Sequence, residues 1–134
     1  MKRKNTLIGL LMAVLIIASS QVSFGSTNAI AYNVIVPAFG GINTPVLTKN
    51  STVNTAYNKN VSINSGDTLY SVIKLNSTQA DITDSDWFTN AGWSRMTYSN
   101  PSWYVGSQTT MHIWSGPTTL NELYCSGSWT PDNN

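Results

Sequence analysis

After its first 25 residues the chain never places apolar side chains at the 3.6-residue period of a packed helix. It places them at every second position, in short runs broken by Gly, Pro and Asn. Ile30, Tyr32, Val34 and Val36 share one side of a first run, which ends at Pro37 and a Gly40-Gly41 turn. Val53, Thr55 and Tyr57 suggest a second strand, with Asn58-Lys59-Asn60 as its turn. Val61 and Ile63 lead into the turn signal Asn64-Ser65-Gly66-Asp67. Leu69, Ser71, Ile73 and Leu75 line the next run, and Asp81 to Trp93 reads as a loop or one short helix. Met96 and Tyr98 precede an Asn100-Pro101 stop. Met111 and Ile113 face inward from a strand over 108–114, and Leu123, Cys125, Gly127 and Trp129 do so from the last strand. Short alternating strands at this spacing predict an all-β chain: one small antiparallel β-sandwich of immunoglobulin-like type.

The N-terminus follows different rules. Lys2, Arg3 and Lys4 precede an apolar run from Leu7 to Ala18, too short to span a bilayer, and then a small, polar stretch. This pattern predicts a cleaved signal peptide over 1–25 and a secreted, extracellular domain over 26–134. Cleavage after Gly25 is favoured, and Ala29-Ile30-Ala31 offers a second site. No cysteine near either site offers a lipid anchor, and the polar ending offers no C-terminal one, so no stable membrane anchor is expected.

Loss of 1–25 changes the charge. Lys49, Lys59, Lys74 and Arg95 then face six acids, for a formal charge of −2. Four scattered cations are no footprint for phosphates, which argues against nucleic acid as a partner. Cys125 is the only cysteine, so an internal disulfide is impossible, and its register points it inward as a buried thiol. His112, the only histidine, alternates with Met111 and Ile113 and should point outward, away from Cys125. A Cys-His catalytic pair is therefore not expected, and one His with one Cys does not make a zinc site. Asp81, Asp84 and Asp86 form the densest acidic cluster, which lacks the Gly and distal Glu of an EF-hand loop and reads as a solvated turn. The same acids with Glu122 offer a glycosidase pair only in principle. No catalytic set, metal site or cofactor is expected.

The aromatic residues are more suggestive. Trp87, Trp93, Trp103, Trp114 and Trp129 all lie in the C-terminal half. Trp129 reads as core. Trp103 and Tyr104 follow a turn, and Trp114 shares the outward face of His112, so these three are the candidate binding aromatics.

Two resemblances add expectations. Ile63 to Val72, with Ser65, Gly66, Asp67, Thr68 and Leu69 at its centre, resembles the opening of a LysM domain. Asn100-Pro101-Ser102-Trp103-Tyr104-Val105-Gly106 resembles that module's closing segment. This resemblance implies a βααβ unit with an N-acetylglucosamine groove between the two segments, binding peptidoglycan or chitin. Val36-Pro37-Ala38-Phe39-Gly40-Gly41, Trp93-Ser94-Arg95-Met96 and the ending Ser126-Gly127-Ser128-Trp129-Thr130-Pro131-Asp132 are similar to an uncharacterised family of small exported Gram-positive proteins. That family resembles the lactococcin-type bacteriocins in design. The second resemblance implies a released β-sandwich that acts, without catalysis, on a bacterial envelope component: peptidoglycan, a lipid-linked precursor or a receptor.

Overall fold

Nine strands form within residues 28–64 and 66–133, which the computed structural model describes. They are β1 (Ile30–Val36), β2 (Gly41–Asn43), β3 (Leu47–Thr48), β4 (Thr55–Ile63), β5 (Leu69–Leu75), β6 (Asp86–Phe88), β7 (Trp93–Thr97), β8 (Gln108–Ser115) and β9 (Leu123–Thr130). The predicted signal peptide and the cut after Gly25 lie outside the described residues. A cut after Ala31 would take the first two residues from β1, including Ile30, which pairs with Trp129.

The expected all-β sandwich is present. Its first sheet runs β1-β9-β4-β7 and its second β2-β8-β5-β6, with every described pairing antiparallel. β3 continues the β2 edge along β8. Pro45 interrupts the two, as an edge position allows, while Thr44 N–H still donates to Met111 O. This wiring is the eight-stranded jelly roll, in which the chain crosses repeatedly between sheets, and not the immunoglobulin order. Apolar alternation reports which residues face inward; it does not report which strands are neighbours.

The inner faces follow the sequence closely. Val36, Leu69, Ile73, Met96, Met111, Ile113, Leu123 and Trp129 lie in one core with Phe88 and Ile82. One expectation fails and one is refined. Asn58-Lys59-Asn60 is not a turn but the middle of β4, and Asn58 and Asn60 face the core. They are tolerated there because Tyr32 Oη donates to Asn58 Oδ1 at 2.7 Å and Cys125 Sγ donates to Asn60 Oδ1 at 3.2 Å. The register of β4 against β9 then shifts between Asn60 and Ser62, which returns Ile63 to the core opposite Cys125. The stretch from Asp81 to Trp93 holds no helix. It makes single bridges to Lys74 and Tyr98 and then forms β6.

The acidic cluster serves this corner. Asp86 accepts from Arg95 N–H at 2.8 Å, and Asp84 accepts from Thr97 N–H. These are the β7 donors that face away from β4, so the two carboxylates cover an otherwise open sheet edge. Asp81 pairs with Lys74 at 2.6 Å.

The C-terminal segment is a structural closure. Lys49 is 0 % exposed, and its Nζ donates to Asp132 Oδ1 and to Val53 O, both at 2.8 Å, above the Tyr98 ring. Asp132 also accepts from the backbone N–H of Asn50 and Ser51 and from Ser51 Oγ. Tyr98 Oη donates to Pro131 O at 2.9 Å. Gly127 sits where a Cβ would lie 2.3 Å from Lys59 O and 2.7 Å from Tyr32 Oη, so the Tyr32 phenol reaches Asn58 only across a glycine. Gly127, Trp129, Pro131 and Asp132 thus each have a packing or bonding role.

Burial alone would push the Asp132 carboxyl up, but Asn50 N–H, Lys49 and Ser51 outweigh it and hold the group below its ordinary value. The unfolded chain therefore takes up this proton first as pH falls. The stabilisation is complete above the unfolded value of about 3.9 and is lost as pH drops from there through the lower folded value. Asp132→Ala leaves a buried ammonium uncompensated and should lower unfolding free energy by about 3–5 kcal/mol at neutral pH. Urea titrations at several pH values check both the loss and the flattening of this acid-dependent component. Gly127→Ala should cost about 3 kcal/mol through overpacking against backbone, read in the same titration.

Candidate binding face

The outer face of the second sheet carries a row of rings. β5, β6 and β8 place Tyr70, Trp87 and Trp114 outward because their neighbours Leu69, Phe88 and Ile113 fill the core. Register sets them side by side: Tyr70 is directly opposite both Trp87 and Trp114. Adjacent strands lie about 4.8 Å apart, so outward rings on three neighbouring strands form a continuous strip.

The strip is ordered. Tyr70 and Trp114 stack with centroids 5.6 Å apart and planes 20° apart. His112, two residues before Trp114 on the same face, stacks on it at 5.9 Å and 25°. Tyr70, His112 and Trp114 are half-buried in this stack. Trp87 at the β6 edge is 59 % exposed. At the other edge Gly41 faces Trp114, and a Cβ there would lie 2.4 Å from His112 Nε2, so only glycine leaves the imidazole its place.

Polar groups border the rings. Asn43 Nδ2 donates to Gln79 Oε1 at 2.8 Å, which leaves Asn43 Oδ1 as an acceptor for His112 Nδ1–H at 2.7 Å. In the neutral imidazole, Nε2 is then the acceptor. The Lys74–Asp81 pair lies alongside, so this border carries one charge of each sign. Burial, then Lys74, lower the His112 pKa, and Asp81 opposes them. The net effect favours the neutral imidazole.

The sequence-selected residues divide among three places. Trp114 belongs to this strip. Trp103 and Tyr104 lie in a 3-10 turn (Pro101–Tyr104) before the start of β8, while Trp114 is near its end, roughly 20 Å away at 3.3 Å per residue. Trp103 is 72 % exposed, whereas Tyr104 packs on Tyr98 and the core. The three aromatics do not form one surface.

The LysM-like unit is overturned. Leu69, directly after Thr68, begins β5 opposite Ser115 and is buried. Gly66 and Asp67 precede them in an exposed turn, and Ser65 lies outside the described residues. Asn100 and Pro101 lie at the opposite end of β8, so no groove joins the segments, and no α-helices stand between them. Two short turn-like motifs matched, but the elements between them are strands.

Tyr70 and Trp87 were missed by sequence reasoning. Their signal was outward register beside a buried neighbour, and it needed the β5–β6 pairing to become a site. Cys125 is 1 % exposed, and burial pushes its thiol up to about 11. It faces the core of the first sheet while His112 lies outside the second, so the two are apart as expected. Among the described residues no three His, Cys, Asp or Glu side chains are placed to hold a metal ion, and no helix is long and apolar enough to cross a membrane.

No family model and no curated relative matches the chain. Among solved structures it is similar to a chain from Bacillus endospore appendages, described as a novel family of disulfide-linked pili. The identity is 10 %, the TM-score 0.35, and the match covers 83 % of this chain and 95 % of that one.

His112 should titrate below the ordinary histidine value of about 6.5 in a side-chain NMR titration. Lys74→Gln should move its midpoint upward by removing a cation that disfavours the imidazolium.

Proposed function

We propose that the protein is an exported, non-enzymatic binding protein that docks on a glycan of the bacterial envelope through the outer face of its second sheet. The row Trp87-Tyr70-Trp114-His112 carries this reading. Pyranose rings present apolar C–H faces ringed by hydroxyls. A strip of half-buried, stacked rings that ends in the exposed Trp87, beside two amides and an imidazole acceptor, offers both kinds of contact. The border's balanced charge suits a neutral polymer better than a polyanion. The jelly roll hosts many activities, so the argument rests on the face and not on the fold.

The carboxylates support the non-enzymatic part. Asp84 and Asp86 are held by backbone N–H groups of β7, and Asp81 by Lys74, so each has a structural engagement. Export rests on the N-terminal pattern Lys2 to Gly25. The lactococcin-like resemblance adds an antagonistic role for the same released protein, which a growth-inhibition assay on related Gram-positive cells tests directly.

Residues 26–134 should co-sediment with purified peptidoglycan sacculi, and chitin oligomers should displace them. Trp114→Ala and Tyr70→Ala should each weaken binding about tenfold or more, about 1.4 kcal/mol. Trp103→Ala, at the other end of the molecule, should leave binding unchanged. Failure of the wild-type protein to pellet, or equal losses from all three variants, would overturn the assignment.

A further inference from the structure

The interior holds a small polar site that the aromatic face does not use. Across the inner side of the first sheet, register places Trp129, Asn58 and Ser94 in one row on β9, β4 and β7. Ser71 reaches this row from the opposite sheet, and its Oγ lies 2.9 Å from Ser94 Oγ. All four residues are buried, Trp129, Asn58 and Ser71 completely.

Two donors in this row have no acceptor among the described residues: Asn58 Nδ2 and Trp129 Nε1. Their orientation is not free to change cheaply. Asn58 Oδ1 is committed to the Tyr32 hydroxyl at 2.7 Å, which aims Nδ2 the other way. Arg95 and Thr97 N–H point outward to Asp86 and Asp84, so β7 meets β4 through the alternate residues, Ser94 included. Asn58 then makes its backbone bonds toward Ser94, and Asn58–Trp129 is the non-hydrogen-bonded kind of pair, whose side chains approach most closely. Two fully buried donors on directly opposite residues, left without an acceptor from the described residues, carry a large desolvation cost, and native interiors rarely retain one.

We propose that one internal water molecule binds between the sheets, accepting hydrogen bonds from Asn58 Nδ2 and Trp129 Nε1 and donating to the Ser94 and Ser71 hydroxyl oxygens. The ligand is neutral because an anion in this core would face no compensating cation: Lys49 is committed to Asp132. A water has the matching valence, two accepted and two donated bonds, and buried waters commonly make about three. The Ser71–Ser94 contact keeps its own bond, since each hydroxyl oxygen has two lone pairs. The bound water joins β9, β4 and β7 to β5, and so ties the two sheets at their polar centre.

The test is solution NMR on the intact mature protein, with a high-resolution crystal structure beside it. The Trp129 indole N–H and the Asn58 side-chain amide should both show through-space cross-peaks to one long-lived water. Density should lie within hydrogen-bond distance of both nitrogens. Trp129→Phe should abolish the indole peak while the Asn58 peak to water persists, since three partners remain. Absence of a water cross-peak at both groups, two separate waters, or a halide at the position would each overturn the proposal.

Discussion

The buried Lys49–Asp132 pair closes the molecule. A jelly roll brings distant parts of the chain side by side, and here the loop after β3 meets the segment after β9 across 83 positions of sequence. An ammonium and a carboxylate can share this interior only because nearly every lone pair and proton finds a partner: Val53 O, Asn50 and Ser51 N–H, Ser51 Oγ and the Tyr98 ring. The chain holds a single cysteine, so this ion pair, and no internal disulfide, links the two segments. Removal of either partner strands a buried charge, which makes the closure sensitive to a change on either side.

A second constraint lies deeper. The inner face of the first sheet is not uniformly apolar. Tyr32 crosses the notch left by Gly127 to bond Asn58, Asn60 accepts from Cys125, and Ser94 meets Ser71 from the other sheet. These bonds connect β1 to β4, β4 to β9 and β7 to β5 at fixed registers, and each has directional requirements that apolar packing lacks. Burial pushes the Tyr32 phenol and the Cys125 thiol above their ordinary ranges, so both remain protonated donors at neutral pH. The Ser71–Ser94 contact joins this seam to β5, the strand that carries Tyr70 on its outer face.

Legibility in the sequence followed the kind of information each feature needed. The period-two pattern revealed the strand faces of β1, β5, β8 and β9, the inward Cys125 and the outward His112, because alternation is local. The Asn58-Lys59-Asn60 segment misled for the same reason: asparagine is a turn former until a tertiary partner satisfies its amide, and Tyr32 and Cys125 are remote in sequence. Asp84 and Asp86 looked like a solvated turn, while their role is set by the two donors that β7 turns toward them. Trp114 was legible as outward, but its companions Tyr70 and Trp87 were not, since three separate strands supply the row. Trp103 and Tyr104 looked equivalent to Trp114 until β8 put its own length between them.

The sequence by itself determined that this chain makes short strands with one apolar face, that it cannot form an internal disulfide, and that its charged groups are few. These properties are read residue by residue. Only the tertiary structure decided the jelly-roll order, the pairing of Lys49 with Asp132, the burial of two asparagines and the assembly of the aromatic row. Each depends on which strands become neighbours, and that is settled by long-range burial and hydrogen bonding that no local pattern records.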